Sequence, residues 1–206
     1  LFPLLFNRSY YYIDDSAGGS FGQWYELGRQ LLSGHWPMLN PGAWMAGNYL
    51  MDGQWGLYNP LIWAIAILST TAPSAAAFTT AVKIAFLMIA GTGTYVLTRS
   101  YRAAPALAAL AATSAPMAGW TFHMDAGTWV PLLEVWALFP WAFWALRHWS
   151  VSRRHAASCY ITLYLIITIG YVQGTISLIA AFISLLAQAA WRRQRRAPAR
   201  LLLMGL

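Results

Sequence analysis

Residues 75–99 read AAAFTTAVKIAFLMIAGTGTYVLTR, with one charged side chain, Lys83, before the run closes on Arg99. About 20 consecutive apolar residues carry a helix across a bilayer, so 75–98 reads as a span. The composition agrees: the 206 residues are 59% hydrophobic and 9% charged, where a soluble domain carries about a quarter charged residues. The sequence therefore predicts an all-α, polytopic integral membrane protein.

The arginines orient it. They fall in three short tracts between apolar runs: Arg99 and Arg102; Arg147, Arg153 and Arg154; and Arg192 to Arg200. Cytoplasmic loops collect Lys and Arg, so the three tracts lie inside, and the net charge of +7 reflects lipid headgroups and not nucleic acid. Outward from 75–98, spans follow at about 103–120, 129–146, 157–172 and 176–191, the last two joined by a turn at "QGT". Residues 57–70 form a run too short to cross, bounded by Asn59–Pro60 and Pro73, and read as a re-entrant or interfacial helix. "LFPLLF" at the start and "LLLMGL" at the end read as pieces of further spans, so both termini are expected to be truncated. Cys159 is the sole cysteine, which excludes an internal disulfide.

This threading puts Asp14, Asp15, Glu26, Asp52 and Asp125 outside, with Glu134 just within the outer leaflet. Acidic residues contribute little to topology, so their sorting points to chemistry on the outer face. The first external segment, 7–56, is long for a loop, and such loops are usually functional. Within it "SFGQWYELGRQLLSG" predicts a helix with a Ser20/Gln23 capping box, a closing Gly34 and an apolar stripe of Phe21, Trp24, Leu27 or Gly28, and Leu31, lying on the membrane. "HWPMLNPG" and "MDGQWG" predict turns.

An acid after a first helix, then "LLSGHWPMLNP", "DGQWGLYNPL" and "GTGTYVLTR", in this order, resemble the YfhO-like bacterial membrane proteins of the GT-C glycosyltransferase superfamily. The resemblance covers roughly residues 10–154. It implies an enzyme of the bacterial cytoplasmic (inner) membrane that transfers a sugar from a polyprenyl-phosphate donor to a cell-envelope polymer, lipid or protein acceptor on the extracytoplasmic face. It also implies a first-loop acid as catalytic base, a role that maps onto Asp14 or Asp15. "SAGGS" departs from the pattern by separating this acid from Gln23.

The chemistry is coherent with that implication. A sugar hydroxyl is a poor nucleophile until a positioned carboxylate takes its proton, and a phosphate leaving group needs donors or positive charge. One aspartate would be the base; the other would orient it, bind acceptor hydroxyls or hold a divalent metal. Adjacent side chains of an extended segment face opposite ways, which assigns the two different jobs. The plain alternative is a solvated pair at a helix exit.

Lys83, about two turns inside a span, is a donor-phosphate candidate because a lysine in hydrocarbon is costly; snorkelling or an ion pair with Glu134 is the structural alternative. Arg8 and Arg29 are further phosphate candidates. His123 and Asp125 in "TFHMDAG", and Asp52 in its turn, are candidates for substrate binding. Of twelve tryptophans most read as interfacial anchors, but Trp24, Trp36, Trp44 and Trp55 fall in the external segment, where one or two would line an acceptor groove. Two other classes compete: a transporter, which would carry inverted repeats and midplane polar groups, and a non-catalytic scaffold, which needs no acid pair. No internal repeat is visible.

Overall fold

The computed structural model describes residues 4, 5, 7, 10–42, 48–50, 52–119 and 128–191. Among them the protein is all-helical, and β pairing is limited to an isolated bridge between Leu39 and Asn48. Seven α-helices follow in order: α1 Phe21–Leu32, α2 Pro60–Ser69, α3 Ala75–Ser100, α4 Pro105–Ser114, α5 Val130–His148, α6 Arg153–Ile169 and α7 Val172–Trp191.

Helix α1 continues a π-helical turn, Ser16–Ser20, with no break between them. Ser20 is therefore itself helical and its side chain caps nothing. The capping box expected from the sequence does not form, because the preceding turn already serves the N–H groups that a cap would satisfy. Gln23 instead accepts a hydrogen bond from Asn40 Nδ2 at 2.9 Å, and the Tyr49 hydroxyl donates to the Gln23 carbonyl at 2.7 Å. Burial raises the Tyr49 phenol above its ordinary value, so it remains a donor. The apolar stripe of α1 packs on α2 instead of facing only lipid: Trp24, Leu27 and Gly28 are buried, and a Cβ at Gly28 would meet the Ala66 carbonyl.

Helix α2 starts where Asn59 caps it, the side chain accepting from the Leu61 and Ile62 amides, with Pro60 in the first turn. Its ten residues give about 15 Å, half of a bilayer core. Helix α3, capped by Ser74, has 26 residues, about 39 Å. It is the one helix among the described residues that is long and apolar enough to cross a membrane; Pro60–Ser69, Pro105–Met117 and Val172–Gln188 are shorter apolar helices. Among the described residues of the segment expected to span 103–120, helix is found as α4, in a 3-10 turn, Ala115–Met117, and again at Gly119.

Helices α3 and α5 run side by side in the same direction. The Trp141 indole donates to the Ile89 carbonyl at 2.9 Å, and Gly93 leaves room for that ring. At their far ends the Arg147 guanidinium lies 3.8 Å from the Tyr101 ring centroid. Helices α6 and α7 form a hairpin against α5. Its turn is at Gly170, whose φ of +79° is the left-handed conformation that ends helices, and not at "QGT". Gln173, Gly174 and Thr175 belong to α7, with Gly174 close under Val135 and Ile166.

Two ends result. Arg99, Arg102, Arg147, Arg153 and Arg154 lie at one, where α3 and α5 finish and α6 begins. The π-helical turn, the Gly53–Trp55 turn, the head of α5 and the α6–α7 turn meet at the other. Between them Met88, Leu107, Leu110, Ile161, Ile176 and Ile183 are exposed.

Because Gly28 meets backbone and not a yielding side chain, Gly28→Val must push α1 from α2. Overpacking of this kind costs about 1–3 kcal/mol, so a lowered Tm is expected in detergent. Gly22→Ala, where a Cβ meets nothing within 4 Å, should leave Tm unchanged or slightly raised.

Candidate functional site

The acid pair sits where the chain turns into the π-helix. Asp14 adopts φ +52°, a left-handed conformation that Asp tolerates better than most residues, and its carbonyl accepts from the Ala17 and Gly18 amides at 3.0 and 2.9 Å. Asp15 is already right-handed helical. The segment is thus not extended, and the alternation expected of two neighbours on a strand does not apply. Both carboxylates are exposed, and neither has a hydrogen-bond partner among the described residues.

Ser16, the next residue, is buried. Its hydroxyl donates to the Thr128 carbonyl at 2.9 Å, just before α5, and accepts from Lys83 Nζ at 2.5 Å. Lys83 is 0% exposed. Two features singled out in the sequence, the Asp14–Asp15 pair and the span lysine, are therefore linked through Ser16, the pair by chain adjacency and Lys83 by its hydrogen bond. Lys83 does not snorkel, and its ammonium turns inward to this hydroxyl.

The other candidates are placed differently. Arg29 makes a two-pronged bond to Glu26, at 2.8 Å from both Nε and Nη2, which holds the Glu26 carboxyl below the usual carboxylate range. Asp52 accepts from Gln54 Nε2 at 3.1 Å and Trp55 Nε1 at 2.8 Å, so it fixes its own turn. That turn docks on the α6–α7 hairpin, where Gly53 backbone abuts Gly170, Tyr164 donates to the Tyr58 carbonyl and Asn59 to the Leu165 carbonyl. Arg8, His123, Asp125 and the Arg192–Arg200 tract lie outside the described residues, as does Trp44.

Glu134 forms no ion pair with Lys83. It is 2% exposed and has no hydrogen-bond or ion-pair partner among the described residues. With Ser20, Trp24, Gln54, Trp55, Ile62, Val130 and Pro131 it lines a crevice too tight in this conformation for a water molecule to enter. The sequence reading missed Ser16, Ser20, Gln54 and Thr128. These are small or neutral polar residues in irregular segments, where no periodicity marks a buried position. Among the described residues no three His, Cys, Asp or Glu side chains gather as a metal site.

The Ser16–Lys83 contact is testable by a double-mutant cycle. Ser16→Ala and Lys83→Met should show a coupling of about 0.5–3 kcal/mol in unfolding measured in detergent. Strict additivity would mean that the two side chains do not interact. No protein-family profile, curated protein or solved structure matches the chain.

Proposed function

We propose that the protein is a polytopic membrane glycosyltransferase of the GT-C type, transferring a sugar from a polyprenyl-phosphate donor to an acceptor on the extracytoplasmic face of the bacterial cytoplasmic membrane. The observation that carries this reading is the exposed Asp14–Asp15 pair held at one end of an apolar helical assembly by the Ser16 link to α3 and to the head of α5. A general base needs a free carboxylate in a fixed place, and this pair has both properties.

In the proposed reaction one aspartate accepts the proton of an acceptor hydroxyl. The hydroxyl oxygen attacks the anomeric carbon, the bond from that carbon to the phosphate oxygen breaks, and the lipid phosphate leaves. Donor phosphate would approach at headgroup level. Lys83 is fully buried and would have to be uncovered to meet it, whereas Arg29 bonds Glu26 through Nε and Nη2 and keeps Nη1 for a phosphate oxygen. The polytopic part of the reading draws on the exposed Ile, Leu and Met side chains of α3, α4, α6 and α7, which suit contact with lipid. It also draws on the separation of the arginines from the acid pair, which suits the positive-inside rule.

Sugar transfer from polyprenyl-phosphate donors in liposomes, comparing wild type with Asp14→Asn and Asp15→Asn, tests the proposal. Loss of the base is expected to lower transfer by about 10²–10⁴-fold in one variant, with Tm retained. Unchanged rates in both would remove the pair from catalysis. Substrate movement across the liposome without transfer would replace the enzyme by a transporter.

A further inference from the structure

At the end opposite the acid pair, three of five arginines sit against local preference. Arg102 has φ +64°, a left-handed backbone that glycine or asparagine adopts at lower cost. Arg153 and Arg154 open α6, where the helix dipole disfavours a cation. Arg99 and Arg147 lie in the last turns of α3 and α5, where the dipole favours them. The fold gathers all five. The Arg147 guanidinium lies on the ring of Tyr101, which stands between Arg99 and Arg102 in the chain. His155, next to Arg154, packs its ring 5.5 Å from that of Trp144 and 6.0 Å from that of His148, so the start of α6 is held on the end of α5. Arg99, Arg102, Arg153 and Arg154 are exposed. Among the described residues no Asp or Glu pairs with any of the five.

The surface beside this patch is apolar and aromatic: Tyr101, Leu107, Val151 and Tyr160 are exposed. Positive charge that passes directly into apolar surface matches a lipid, whose phosphate and acyl chains adjoin; nucleic acid would not use the apolar border. We infer that this end is a docking surface for anionic glycerophospholipids. The arginines take phosphate oxygens, for which the planar guanidinium fork is well shaped, and the bordering side chains meet the upper acyl chains. The inference rests on the membrane part of the functional reading and is independent of the transfer reaction.

The test uses the full chain in an uncharged detergent, titrated with short-chain phosphatidylglycerol or with phosphatidylcholine of the same chain length. Bound lipid is read by native mass spectrometry and its effect by Tm. One arginine near an anionic surface corresponds to about fivefold in affinity, and wild type is expected to favour phosphatidylglycerol by well over that factor. Arg102→Gly should cut the preference by about fivefold, while Tm without lipid holds or rises because glycine suits the positive φ. Arg102→Lys should keep the preference. Arg153→Gln combined with Arg154→Gln should reduce it further and carries the test if Arg102→Gly fails to fold. Equal affinity for the two lipids, or a preference intact in folded Arg102→Gly and in the double variant, would overturn the surface. Displacement of phosphatidylglycerol by glycerol phosphate at equal concentration would assign the patch to a free phosphate instead, and displacement by duplex DNA to nucleic acid; either overturns the inference. A wild type that binds neither lipid would sink the membrane reading as well, whereas equal binding of both sinks the docking surface alone.

Discussion

The Ser16 hydroxyl is the point on which the acid-bearing end depends. A lysine ammonium inside an apolar helix is tolerated only where polar atoms meet it, and Lys83 finds Ser16. That hydroxyl in turn donates to the Thr128 carbonyl, so one side chain ties a first-segment turn to the two central helices. The burial of Lys83 makes the tie specific, since any register of the turn that moved Ser16 away would remove a hydrogen bond from a buried amine. Asp14 and Asp15 inherit their position from this constraint, although they take no part in it.

Close backbone approaches complete the platform. At Gly28 against Ala66 and at Gly170 against Gly53 there is no room for a Cβ, so α1 lies directly on α2 and the Asp52 turn directly on the α6–α7 hairpin. Asn59 serves both sides: its Oδ1 caps α2, and its Nδ2 reaches the Leu165 carbonyl of α6. The segment that looks like a loop in sequence is consequently bonded to helices more than a hundred residues away. Its turns form the wall that faces Glu134.

What could be read beforehand follows from how each signal arises. The 75–98 run announced α3 because a long apolar stretch between Ser74 and Arg99 has few alternatives, and Asn59–Pro60 marked the start of α2 by the chemistry of capping. The Ser16–Ser20 π-turn was invisible: "SAGGS" has loop composition, and the bonds of Ser16 to Lys83 and Thr128 that hold it in place are tertiary. The hairpin turn was misplaced by three residues for a related reason. Two glycines, Gly170 and Gly174, offered a turn, and which one takes positive φ and which one admits Val135 and Ile166 is decided by packing. Of the site, the acid pair and Lys83 were legible as charges out of place in an apolar chain, whereas their connection through a serine was not.

Three carboxylates near one end now stand in distinct surroundings. Asp14 and Asp15 are exposed and have no hydrogen-bond partner among the described residues, while Glu134 is enclosed between indoles and an amide. Groups of the same chemistry take different roles when their environments differ. A solvent-facing carboxylate can exchange the proton it removes from an acceptor hydroxyl. An enclosed one is poorly placed to release a proton to water. In the proposed reaction that asymmetry favours the pair on the π-turn as the proton acceptor, and the short Asp15–Ser20 stretch links the pair to the wall that Glu134 faces.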